Sequence, residues 1–188
     1  MSYILGIDEA GRGAWAGPLT VGAVVLGDSA QGKLTDSKLL TKLMRSQIAG
    51  LIYKNAIFAK VGWVSAEEID RIGLTQATTL GIERALAGAK YDEYEMIIDG
   101  HINYFKSYKN SRCLIKADGS IPAVSAASII AKVARDEYMA EMSIEHPGYG
   151  FERHVGYGTK VHQTALNDMG ITKLHRLSYK PVSVYGAA

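Results

Sequence analysis

Tyr3-Ile4-Leu5-Gly6-Ile7-Asp8-Glu9-Ala10-Gly11-Arg12-Gly13 is an apolar run closed by two adjacent carboxylates and a Gly-Arg-Gly turn. Tyr3–Ile7 has the composition of a buried strand. Two neighbouring carboxylates at a strand end repel each other unless something cationic sits there. A divalent metal with oxygen ligands is the obvious candidate. Gly11, Arg12 and Gly13 add donors for an anionic partner beside it.

Working outward, Leu19–Leu26 reads as a second strand ended by Gly27-Asp28. Thr41 is placed to cap a helix through about Tyr53, and Ala56–Val64 reads as a third strand. Ser65 and Glu68 have capping-box spacing, so a short helix is expected there. Leu74–Ala89 carries helical apolar spacing. Glu95–Ile98 is a fourth strand running into Asp99-Gly100, and Arg112–Ala117 a fifth ending at Asp118. A long helix follows from Ile121 or Pro122 to about Glu145, and a last regular one spans Thr159–Met169 before Gly170. Three early strands followed by alternating helix and strand indicate an α/β fold with a mixed sheet. No repeat, low-complexity tract or Pro-rich linker divides the 188 residues, so one domain is expected over 1–188, with a helical part from about 140 to the end.

A composition of 47% hydrophobic and 21% charged residues is that of a globular enzyme, and no apolar stretch is long enough to span a bilayer. Cys113 is the single cysteine, which excludes an internal disulfide and suits a reducing compartment; a cytoplasmic protein is expected. From His146 onward, five Lys or Arg face two acids, whereas Glu67–Glu95 is rich in acids. That asymmetry fits a polyanion docking on one side, and equally a mixed solvated surface.

Asp8, Asp99 and Asp118 are each expected just past the end of an apolar strand. If strands one, four and five are parallel neighbours, these carboxylates meet with Glu9 at one sheet edge, where ligands of α/β proteins bind. An oxygen-only donor set suits Mg²⁺ or Mn²⁺, and no Cys/His spacing typical of zinc occurs. Two such ions clamp the attacking and leaving oxygens in phosphodiester chemistry. The plainer reading of any one acid is a turn starter. Asp136 is expected to pair locally with Lys132 or Arg135.

Gly11-x-Gly13-x-x-Ala16 loosely fits a dinucleotide fingerprint, which would make the protein a nucleotide-dependent oxidoreductase. The fingerprint needs a following helix, whereas Gly17-Pro18 and a β-like run come next. A nest of backbone N–H groups that approach a sugar-phosphate fits better, with Arg12 fixing the turn or touching phosphate. The segment Tyr149–Lys160 interleaves rings and cations, a pattern suited to stacking on bases and contacting phosphates. Tyr149 and Phe151 are expected in the core, and Tyr157, between two glycines, exposed. His154 and His162 are expected at the surface or on phosphate, and Leu174-His175-Arg176 as a polar clamp on the chain end or on substrate.

Ile7-Asp8-Glu9-Ala10-Gly11-Arg12-Gly13, Gly17-Pro18, Asp36-Ser37-Lys38, Ile98-Asp99-Gly100, Lys116-Ala117-Asp118, Ser125–Asp136 and Gly156-Tyr157-Gly158-Thr159 together resemble ribonuclease HII, in that family's order from about Tyr3 to Ser178. The resemblance implies a ribonuclease H-like fold, a five-stranded mixed sheet flanked by helices. It implies endonucleolytic cleavage of RNA in RNA/DNA hybrids and 5′ of single ribonucleotides in duplex DNA, leaving 3′-hydroxyl and 5′-phosphate ends. By the same resemblance Asp8, Glu9, Asp99 and Asp118 are the catalytic acids and hold two Mn²⁺ or Mg²⁺ ions. Gly11, Arg12 and Gly13 sense the 2′-hydroxyl, Tyr157 stacks at the ribonucleotide–deoxynucleotide junction, and Lys38 sits near phosphate. The expected partners are hybrid and ribonucleotide-containing duplexes, with no membrane, for a monomer. Ala14-Trp15 stands where the family usually has Pro-Leu, and Gly73 where Asn is common.

Overall fold

A computed structural model describes residues 3–27 and 41–186. Five strands form one sheet: β1 (Ile4–Ala10), β2 (Leu19–Leu26), β3 (Ala56–Val64), β4 (Glu95–Asp99) and β5 (Ser111–Leu114), in the order β3-β2-β1-β4-β5. β2 is antiparallel to β1 and β3, while β1, β4 and β5 run parallel, so their carboxyl ends share one edge. The helices are α1 (Lys42–Asn55), α2 (Ala66–Ile72), α3 (Leu74–Leu86), α4 (Pro122–Glu145), α5 (Phe151–His154), α6 (Lys160–Met169) and α7 (Lys180–Ser183).

Local chemistry sets most of these boundaries. Thr41 accepts the amide of Met44 at the start of α1, and Ser65 with Glu68 closes a full capping box on α2. Pro122 opens α4, where its missing N–H costs nothing. Gly73 ends α2 at φ +79°, a conformation glycine adopts freely.

The two sheet faces bury different layers. Leu5, Ile7, Val21 and Ile98 pack with Ile82 and Leu86 of α3. On the other face, Val24 and Leu26 pack with Ala126, Ala127 and Ile130 of α4 and Ile52 of α1. The small residues of α4 let it approach the sheet at backbone distance. A Cβ added to Gly6 would overlap the backbone of Ala123 and Val124, and one added to Gly22 would overlap Ala127. The carboxyl-terminal half of α4 shares a further core with the tail, through Met139, Tyr149, Phe151, Ala165 and Leu174. Among the described residues no helix is long and apolar enough to cross a membrane.

Several boundaries differ from expectation; β4 includes Asp99 as its last residue rather than ending at Ile98. β1 runs on to Ala10, so Asp8 and Glu9 lie within the strand rather than past it. Its ladder with β2 continues through Ala10↔Thr20 whatever charge the side chains carry. β5 stops at Leu114 and is followed by a left-handed Lys116 (φ 57°) and a 3₁₀ turn over Ala117–Gly119, so Asp118 sits in that turn and not at a strand end. α3 ends at Leu86, three residues before Ala89.

Candidate active site

The parallel register pairs Ile7 with Ile98, which leaves Asp8 and Asp99 as the next residues on adjacent strands. Asp8 is 8% exposed, hydrogen-bonded to Ser128 of α4 and to the amide of Glu9 at 2.8 Å. Burial first, and then the charges of Glu9 and Asp99, push its carboxyl up to about 7. Glu9 is also raised, by burial and by Asp99, against the favourable charge of Arg12. Asp99 accepts the amide of Ala117 at 2.7 Å, an amide aimed by the left-handed Lys116. Asp118 follows Ala117 directly in the same turn.

The structure therefore brings Asp8, Glu9 and Asp99 into electrostatic contact, with Asp118 one residue beyond the amide that caps Asp99. Among the described residues no three carboxylate, histidine or cysteine side chains form a ready-made metal cage. The donor chemistry nevertheless fits a hard divalent cation. The carboxylates offer oxygen only, and Asp8 carries a penalty that a nearby positive charge would remove.

Beside the acids, Gly11-Arg12-Gly13 turns with Gly11 at φ +86° and Gly13 open to solvent. No helix follows the glycines; Ala16 instead makes a β-bridge to His175 before β2 begins. This removes the dinucleotide fingerprint. The Arg12 side chain is committed within the protein: it bonds Thr78 at 3.1 Å, lies 3.8 Å from Glu9, and covers the ring of Tyr104. It fixes the turn.

Tyr157 is 40% exposed, and its ring edge reaches Gly13: a Cβ added there would lie 4.0 Å from Tyr157 Cε1. Trp15 donates its amide to Gly156 (2.8 Å), and its indole occupies the space beside Gly158. Tyr149 and Phe151 are buried, as expected. His154 and His162 are not at the surface. Together with His175 they form a buried polar layer in the tail core. Thr172 N–H donates to His175 Nδ1 (2.9 Å), which leaves His175 Nε2–H to donate to His162 Nε2 (3.0 Å) and His162 Nδ1–H to donate to the Tyr157 carbonyl (3.0 Å). A sequence with rings and cations interleaved hid this, because its pattern does not show which imidazoles the fold buries together.

From sequence, Arg135 is only a candidate partner for Asp136, and Arg176 part of a clamp on the chain end or on substrate. Both are fully buried guanidinium groups: Arg135 bonds the Ala16 and Pro18 carbonyls just after the turn, Arg176 bonds the Arg12 carbonyl within it, and Tyr179 Oη–H also donates to the Arg12 carbonyl. Asp136 pairs with Lys132 at 2.9 Å, not with Arg135. Asp70 accepts the amides of Leu177 and Ser178, fastening α2 to the tail. Cys113 is half-buried. Lys38, with Asp36 and Ser37, lies outside the described residues. A cavity of about 450 Å³ lies behind the turn, lined by Pro18, Trp63, Tyr138 and Lys173; none of the carboxylates at residues 8, 9 or 99 borders it.

Residues 5–182 match the family described as Ribonuclease HII. A ribonuclease HII of Jannaschia sp. is 42% identical, over 96% of this chain and 90% of its own length. Among solved structures, the ribonuclease H2 of Pyrococcus horikoshii superposes with a TM-score of 0.82 at 22% identity, covering 97% of this chain and 96% of that one. Bst-RNase HIII in complex with Mn²⁺ superposes with a TM-score of 0.76 at 22% identity, over 99% of this chain and 70% of that one. At those identities the structural matches carry the fold.

Proposed function

The chain belongs to the ribonuclease HII family and is a ribonuclease H-type enzyme acting on RNA/DNA hybrids, and we propose that it also cuts 5′ of single ribonucleotides embedded in duplex DNA. The observation that carries this reading is the crowding of Asp8, Glu9 and Asp99 at the sheet edge, directly beside the glycine-arginine turn. A charge cluster of this kind is tuned to hold cations against a polyanion.

In this reading Asp8, Glu9, Asp99 and Asp118 are the catalytic acids and hold two divalent ions, Mn²⁺ or Mg²⁺. A structural neighbour was determined with Mn²⁺. When bound, such ions supply an activated water and neutralise charge on the departing 3′-oxygen. Ser128 and the Glu9 amide hold the Asp8 carboxylate in one orientation, and the Ala117 amide does the same for Asp99. Gly11, Arg12 and Gly13 present backbone groups to the ribose, where a 2′-hydroxyl distinguishes RNA from DNA. The open Cα of Gly13 allows that close approach. Tyr157, set against Gly13, stacks on the sugar or base at the junction with deoxynucleotide. Lys38 is assigned to phosphate on the sequence resemblance alone. Cleavage leaves 3′-hydroxyl and 5′-phosphate ends.

The test is a duplex with one ribonucleotide, incubated with Mn²⁺, with Mg²⁺ and with chelator. Metal-dependent cutting on the 5′ side of the ribonucleotide is expected. Cutting of continuous hybrid with none at the single ribonucleotide overturns the finer reading. Asp99→Asn should abolish turnover while duplex binding, followed by fluorescence anisotropy, persists.

A further inference from the structure

The buried guanidinium of Arg135 touches both segments that the proposed function assigns to reading the substrate. It sits in the middle of α4, 1% exposed; the neighbouring Asp136 adds a favourable charge, but its salt bridge goes to Lys132. The three guanidinium nitrogens of Arg135 each donate to a main-chain carbonyl. Nε binds Pro18 O at 2.8 Å and Nη2 binds Ala16 O at 3.1 Å, both on the strand of chain leaving the turn. Nη1 binds Val155 O at 2.9 Å, two residues before Tyr157. The guanidinium carbon lies 5.5 Å from the centre of the Tyr157 ring, close enough for a cation–π contact. On its other side the group lies directly under Gly11, where a Cβ would overlap its Nε.

Three further features single this group out. A buried guanidinium whose hydrogen bonds all go to neutral carbonyls is costly to desolvate, so a packed apolar residue would serve mere stability better. Val155 holds a left-handed backbone (φ 43°), an outlier for a β-branched residue, and its carbonyl is the one that Arg135 takes. Arg176, the second buried guanidinium, places its hydrogen bonds differently: they go to Gly17 O, Arg12 O and Tyr179 Oη, and none reaches the segment before Tyr157.

We propose that Arg135 is a positioning residue that fixes the glycine-arginine turn and the Tyr157 ring at one separation, so that 2′-hydroxyl sensing and junction stacking act as a single reading step. This rests on the proposed function and deepens it. The planar fork is what the role needs. Lysine keeps the charge and cannot hold three divergent carbonyls at once.

The experiment is a double-mutant cycle on two duplexes, one with a single ribonucleotide and one with a continuous RNA strand. Wild type, Arg135→Lys, Tyr157→Ala and the double variant are compared, with folding checked by thermal melting. Arg135→Lys should lower the single-ribonucleotide rate by about ten- to a hundredfold, the scale of a misplaced reacting group. It should slow the continuous hybrid much less. The double variant should be no slower than the slower single variant, because both changes remove one joint step. Arg176→Lys, combined with Tyr157→Ala, should instead give losses that multiply. Multiplying losses for Arg135→Lys and Tyr157→Ala, or equal slowing on both duplexes, would overturn the proposal. If Arg135→Lys melts below the assay temperature, Val155→Gly replaces it, since it frees the left-handed backbone whose carbonyl Arg135 holds while leaving Arg135 in place. The same cycle with Tyr157→Ala then decides. Wild-type activity on both duplexes with a multiplicative cycle sinks the role of Arg135 alone. No wild-type cleavage of the single-ribonucleotide duplex sinks the finer function and this inference with it.

Discussion

Asp8 has a predictable effect on stability as well as on chemistry. Its carboxyl is raised from 3.8 to about 7 in the folded protein, so the native state binds a proton that the unfolded chain has released. Stability contributed by this residue is present below pH 4 and is lost as pH rises toward 7. Asp8→Asn should therefore raise the melting temperature in chelator at pH 8 by about 3–9 °C, equivalent to about 1–3 kcal/mol, and change it little at pH 4. It should abolish cleavage at the same time. An unaltered melting temperature at pH 8 would mean that the crowding is relieved some other way. The importance of this residue is visible in the sequence, because two adjacent carboxylates after an apolar run are rarely accidental. That it faces Ser128 is not visible, since 120 positions of chain separate the two.

Among the elements, α4 lies against the sheet at backbone contact. Alanine at Gly6 would force α4 off the sheet, with no side chain able to yield, so Gly6→Ala should cost about 3 kcal/mol or more. At Gly50, inside α1 with nothing near its Cβ, alanine should stabilise by about 0.5–1 kcal/mol. Chemical denaturation of the two variants checks both signs; destabilisation at Gly50 would show that the surface of α1 is packed. The small-residue face of α4 is legible from Ala126, Ala127 and Ile130 at helical spacing. What it presses against is not, because Gly6 and Gly22 read locally as nothing more than weak strand residues. Trp15 belongs to this scale too. Its ring fills the space over Gly158 and tilts against His162, welding the turn to the start of α6.

For the molecule as a whole, the buried histidine layer sets acid tolerance. Burial, foremost, holds His162 and His175 down to about 4, against 6.5 in the unfolded chain. The unfolded chain therefore takes up protons first as pH falls, and the stability present above pH 6.5 is lost progressively toward pH 4. Asp8 acts in the opposite direction over the same range, so the measurement belongs in the Asp8→Asn background. There, guanidinium unfolding midpoints should fall steadily from pH 7 to pH 4.5, and His175→Asn should flatten that slope while lowering stability at pH 7. A slope unchanged by the substitution would place the acid sensitivity elsewhere. Because the Tyr157 carbonyl is held by His162, the loss should be felt in activity before the sheet itself unfolds.

Short-range pattern was enough for the five strands, the caps at Thr41 and Ser65, the long helix after Pro122, and the carboxyl edge where the acids gather. Each depends on residues a few positions apart, or on strand direction, which alternation of helix and strand constrains. The tertiary structure alone decided which groups meet inside: Arg135 and Arg176 on main-chain carbonyls around the turn, three buried histidines in the tail core, and Arg12 turned toward Thr78 and Tyr104. A charged or polar side chain is read from sequence as facing water. Only a folded backbone offers the converging carbonyls that satisfy a buried one.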